Sequence, residues 1–95
     1  MSLGEARMAA LRALKTCGEQ DGWFQTYGHL EGWVVDEFDY KARAVTEFLH
    51  WCVWRKVTKP TRFDRPGDGR RVSGYEIDPQ QIDRALEFLE ARAHA

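Results

Sequence analysis

The chain has 95 residues, 43% hydrophobic and 31% charged, with a formal net charge of −1 and no repeat or biased tract. That leaves room for one small folded domain and excludes a disordered tract, a solenoid or a second domain. No apolar run approaches the roughly 20 residues that cross a bilayer, and two cysteines outside any C-x-x-C pair exclude a disulfide framework, so a cytoplasmic protein with reduced thiols and no membrane partner is expected.

The first predicted helix runs from Leu3 to about Cys17, because Ala10, Leu11, Leu14 and Cys17 recur at three- and four-residue steps, and Gly18 is placed to close it. The connection "GEQDGWFQTYG" carries Trp23, Phe24 and Tyr27, too much aromatic surface for a free loop. A short second helix is expected between about His29 and Glu37, with Leu30, Val34 and Phe38 on one face. Asp39 is the expected N-cap of a third helix, "YKARAVTEFLHWCVW", whose apolar side is Ala44, Val45, Phe48, Leu49, Cys52 and Val53.

After Trp54 the composition changes. "RKVTKPTRF" and "RRVSGYEI" read as two strands around "RPGDG", with the turn at Pro66 to Gly69 and Pro60 compatible only with a sheet edge or a strand end. Asp78, Pro79 and Gln81 then have the spacing of an N-cap, a first-turn proline and a capping-box partner. They open a last helix whose inward stripe is Ile82, Ala85, Leu86 and Leu89.

Charge is segregated along this order. Residues 18–38 hold five carboxylates and no Lys or Arg, whereas residues 55–71 hold seven basic side chains against two acidic ones. The hairpin is therefore the positive pole of a protein with a pI near 6.3.

The succession of helix, short helix, longer helix, two-stranded hairpin and helix resembles the winged-helix branch of the helix-turn-helix superfamily, over about Leu11 to Leu89. "AVTEFLHWCVWRKVTK" looks like a recognition helix running into the first wing strand, and "GDGRRVSGYEIDPQQIDRAL" like a second wing strand leading into the C-terminal helix. The resemblance implies an α+β fold with three helices, a two-stranded wing and a C-terminal helix, and a DNA-binding role in transcription regulation. The helix face left outside the core is Tyr40, Arg43, Glu47, His50, Trp51 and Trp54. On that face Arg43 and His50 would reach base edges of double-stranded DNA, with Lys56, Lys59, Arg62, Arg65, Arg70 and Arg71 on phosphates. The acidic second-helix region, which contains Trp33, departs from the resemblance, since phosphate neighbours are more often neutral or basic.

Two alternatives stay open. A charged hairpin also keeps a sheet edge soluble or meets an acidic protein. Trp33, Trp51 and Trp54 either complete the core or form the interface of a homodimer or a heterologous partner, as in an inhibitor encoded by a phage or mobile element. Enzyme chemistry is not expected, and neither is a cofactor or a metal. His50 and Cys52 stand two apart on a helix and do not face each other, and His29, His50, His94, Cys17 and Cys52 lack zinc-ligand spacing. "GDG" is turn chemistry without a phosphate loop around it.

Overall fold

The structure, a computed structural model, describes residues 2–93; His94 lies outside them. Four α-helices and a three-stranded antiparallel sheet follow one another as α1 (Leu3–Asp21), β1 (Phe24–Gln25), α2 (Tyr27–Val34), α3 (Ala42–Trp54), β2 (Thr58–Asp64), β3 (Arg71–Ile77) and α4 (Pro79–Ala93) among the described residues. The α+β class and the order of helices and hairpin agree with the sequence. The two-stranded wing is corrected to a three-stranded sheet ordered β1-β3-β2.

Helix α1 begins at Ser2, whose Oγ accepts the Glu5 N–H at 3.1 Å and donates to the Glu5 carboxylate at 3.1 Å, satisfying one of the free donors of the first turn. It does not stop at Gly18. The helix continues to Asp21 and turns at Gly22, where φ is 108° and the N–H donates to Gly18 O at 2.8 Å. Gly18 serves a different purpose: a Cβ at this buried position would overlap the ring of Trp23. Gly18→Ala is therefore expected to destabilise the protein by about 1 kcal/mol, overpacking outweighing the roughly 1 kcal/mol that alanine adds inside a helix. A lowered urea midpoint at unchanged slope would show it.

Strand β1 is held by its register, Phe24 opposite Glu76 and Gln25 opposite Tyr75, and by the Ile77 N–H donating to Trp23 O at 2.7 Å. Gln25 is buried, its Nε2 donating to Asp21 O (3.1 Å) and Gly22 O (3.3 Å) while Oε1 meets His29 Nδ1 at 3.0 Å. One polar side chain thus ties the end of α1 to the first turn of α2. Thr26, whose Oγ1 accepts from the His29 N–H, caps α2 two residues earlier than the sequence suggested.

After Val34 the chain tightens into a 3-10 turn, Val35–Phe38, that buries Phe38. Asp39 is not an N-cap. It adopts φ 53°, Tyr40 follows at φ 60°, and their N–H groups close back onto Asp36 O (3.2 Å) and Val35 O (3.1 Å). A short polar side chain tolerates this left-handed region, which is why Asp39 suits a helix end as well as a helix start. Lys41 flanks α3 without a side-chain cap.

Leu11 and Leu14 from α1, Leu30 and Val34 from α2, and Val45, Phe48 and Cys52 from α3 meet Ile77 of β3 and Ile82 of α4 in one continuous core. Phe48 lies 5.3 Å from Phe38 and 6.0 Å from Trp51, ring centre to ring centre. Pro60 sits on β2, an edge strand, where the missing N–H breaks no ladder. Asp78 Oδ1 accepts from the Gln80 N–H (3.0 Å) and the Gln81 N–H (3.4 Å), capping α4. The reciprocal arm of the capping box is unused, because the Asp78 N–H already donates to Val57 O at 2.9 Å. Among the described residues no helix is long and apolar enough to cross a membrane.

Candidate functional site

The hairpin turns where the sequence placed it. The N–H of Arg65 donates to Arg70 O at 2.8 Å, and Gly69 N–H returns to Arg65 O at 2.9 Å around Pro66 to Gly69. Gly67 and Gly69 adopt φ 100° and 66°, values that disfavour side chains. Below the tip the register runs from Asp64 opposite Arg71 to Thr58 opposite Ile77.

This geometry sorts the six cations of the hairpin and its root into two groups. Arg65 pairs with Asp68 across the tip, and Arg71 Nη1 lies 3.3 Å from Asp64 Oδ1. The Arg65 hydrogen bonds, helped by the Arg70 N–H at 3.1 Å, hold the Asp68 carboxyl down at about 2. Because that value is depressed, what the pair lends the turn is present above the ordinary carboxylate range and fades as pH falls through about 2. Lys56, Lys59, Arg62 and Arg70, by contrast, form no ion pair among the described residues, and all four are exposed. They lie along the hairpin from its root to its tip.

Lys56 stands out by its backbone. It occupies φ 65° at the end of α3, its N–H donating to Val53 O (3.1 Å) while the Val57 N–H donates to Cys52 O (2.9 Å). Glycine is the residue that such a helix stop favours. Lys56→Gly is expected to stabilise the fold by up to about 1 kcal/mol while weakening any anion contact at the root of the wing, so thermal midpoint and duplex affinity should move in opposite directions.

On α3 the exposed stripe is Arg43, Glu47, His50 and Trp54. Arg43 Nε lies 3.1 Å from Glu47 Oε1 one turn away, an exposed pair worth well under 1 kcal/mol, so the guanidinium is easily recruited elsewhere. Trp51 is removed from the outward face. It is half-buried, with Phe48 on one side and the Arg7 guanidinium 4.9 Å from its ring centre, because position 51 lies toward α1. Trp33 is half-buried too, lining a cleft with Phe24, Phe63 and Pro66. Trp54 alone of the three is freely exposed, at 72%.

The carboxylates of the 3-10 turn, Asp36 and Glu37, line a cleft with Asp39 and with Ser2 and Leu3 at the amino end of α1. Negative charge there complements the positive end of that helix dipole, which gives part of the acidic region a structural role. Asp36 also raises the Tyr40 phenol, mainly by a hydrogen bond.

Cys52 is buried, and desolvation pushes its thiol far up against the opposing charge of Arg7; half-buried Cys17 is raised by desolvation and by Asp21. Neither is a thiolate at neutral pH. Among the described residues no three His, Cys, Asp or Glu side chains are grouped to hold a metal ion. Sequence reasoning missed the role of Arg7 and Arg55, which lie over aromatic rings; the helical spacing of Arg55 from Trp51 was a readable signal for one of them.

Comparison with protein-family models, with curated proteins and with solved structures gives no match.

Proposed function

We propose that the chain is a winged-helix DNA-binding module, an accessory or regulatory protein whose hairpin grips the phosphate backbone while α3 offers Arg43 and His50 to base edges in the major groove. One observation carries the reading: four cations, Lys56, Lys59, Arg62 and Arg70, are spaced along one hairpin and form no ion pair among the described residues, even Lys59, which stands opposite Glu76 in the register. A hairpin built only for solubility has no need to leave four positive charges out of ion pairs while pairing the two carboxylates nearest its tip, Asp64 and Asp68. The direct run of α3 into β2 through Arg55 to Val57 supports the same reading, since one rigid unit then carries both surfaces.

In this mechanism the wing supplies sequence-independent attraction and α3 supplies discrimination. Arg43 would leave Glu47 for guanine O6 and N7, and Glu47 would then be free to accept from cytosine N4. Residue-resolved chemical-shift changes on adding a short mixed-sequence duplex test it. Shifts are expected at Arg43, His50, Lys59, Arg62 and Arg70; shifts confined to Trp54 and Phe88, or none, would reject it.

A second reading, a protein-interaction module, is favoured by the exposure of Trp54.

A further inference from the structure

Away from the wing, the amino end of α1, the last turn of α3 and the carboxyl half of α4 enclose a cleft of about 670 Å³. Its floor is Met8, Trp51 and Leu89, and its rim carries Leu3, Trp54 and Phe88, exposed by 60, 72 and 38%. Three large apolar side chains exposed together on three helices exceed what scattered surface residues explain. All three stand exposed on its rim, where a protein segment would meet them, whereas a small ligand would have to be enclosed by the walls.

The charge of this surface is one-sided. Arg55 lies 4.2 Å from the Phe88 ring centre and 6.0 Å from that of Trp54, Arg92 lies 5.4 Å from Phe88, and Arg7 lies 4.9 Å from Trp51. None of the three forms an ion pair among the described residues, and Glu5 is the one carboxylate on the lining. Arg7 Nε is buried with no hydrogen-bond partner, so the π face of Trp51 is what meets its charge there. The acids of the 3-10 turn lie beyond Ser2 and Leu3, in a separate cleft.

The geometry points to this cleft as the docking site for an amphipathic helix of another protein, one that sets apolar side chains against Trp54 and Phe88 and brings Asp or Glu to Arg7, Arg55 and Arg92. Trp and Arg side by side are the residue types that dominate binding energy at such contacts, and a helix laid in a groove is a recurrent way to use them. A second copy is the poorer occupant. A two-fold contact sets the three guanidiniums against their own images, and the acidic residues 18–38 of another copy meet the cleft only head to tail, which builds a ring or a filament rather than a two-fold dimer. This surface shares none of the wing cations, and it meets the DNA reading only at Trp54, on the same exposed stripe of α3 as Arg43 and His50.

The test uses the full chain and two synthetic amphipathic helices with the same leucine stripe, one flanked by Glu and the other by Lys, titrated by tryptophan fluorescence. The Glu peptide is expected to bind at least about tenfold tighter. Trp54→Ala should weaken it by about tenfold with the circular dichroism unchanged, since this side chain is exposed. Arg55→Glu with Arg92→Glu should reverse the preference. Equal binding of the two peptides, no binding of the Glu peptide at millimolar concentration, or indifference to Trp54→Ala would overturn the inference. So would a dimer in sedimentation that Trp54→Ala dissolves, because the cleft would then belong to a second copy.

Discussion

Replacing Arg62 and Arg70 together with alanine is expected to weaken duplex DNA binding by roughly 50-fold at 0.1 M salt and to halve its salt dependence. The size follows from counterion release. Each phosphate contact contributes about 0.9 to the slope of log K against log salt, so four contacts by Lys56, Lys59, Arg62 and Arg70 give a slope of about −3.6 and two give about −1.8. The same double change at Arg65 and Arg71 should matter less, because those guanidiniums already neutralise Asp68 and Asp64. The comparison of the two double variants is therefore sharper than either alone. A protein that merely needs a basic hairpin loses equally from both; one that uses its unpaired cations does not. Both exposed pairs of residues leave the core untouched, so urea midpoints should differ little, that of the Arg65/Arg71 variant being slightly lower for its lost ion pairs, while affinities diverge.

Gly74→Ala is expected to be the most damaging single small substitution in the fold, at about 3 kcal/mol, the upper end of overpacking costs. A Cβ there would stand 2.5 Å from the Gln25 carbonyl oxygen and 2.7 Å from Phe63 Cε1. The oxygen belongs to the backbone of β1, so relief requires moving that strand off β3, with loss of the Gln25 links to Asp21, Gly22 and His29. For a domain of this length, with a total stability of roughly 5–10 kcal/mol, that loss is large. Gly32 supplies the contrast: a Cβ on it meets nothing within 4 Å, and Gly32→Ala in α2 should stabilise by up to about 1 kcal/mol. Opposite signs in paired urea titrations would bear out the placement of β1; a neutral Gly74→Ala would contradict it.

Which parts of this molecule were legible in the sequence depends on how local the deciding interaction is. The apolar steps of α1, α3 and α4, the Asp78-Pro79 start and the turn at Pro66 to Gly69 are written within a few residues, and each lies where expected. Strand β1 has two residues, too few to show alternation, and exists because the edge of β3 is there to receive it. Gly18 and Asp39 were misjudged for a common reason. A glycine ends helices and an aspartate starts them, yet Gly18 is required by a ring five residues on and Asp39 by a left-handed turn. In the candidate site the charges were visible, and their pairing became readable only where the register fixed it. Asp64 opposite Arg71 follows from the turn position once the register is fixed, so that pair was within reach of the sequence. The burial of Trp51 beneath Arg7 depends on where α1 packs, and was not.

The central claim is that the unpaired cations of the wing hold DNA phosphates. Fluorescence anisotropy of a labelled mixed-sequence duplex, titrated with the unmodified protein between about 50 and 200 mM salt, tests it most directly. The account predicts affinity falling by about 150-fold over that range, a slope near −3.6. Binding that is indifferent to salt, or absent at the lowest concentration, would contradict it.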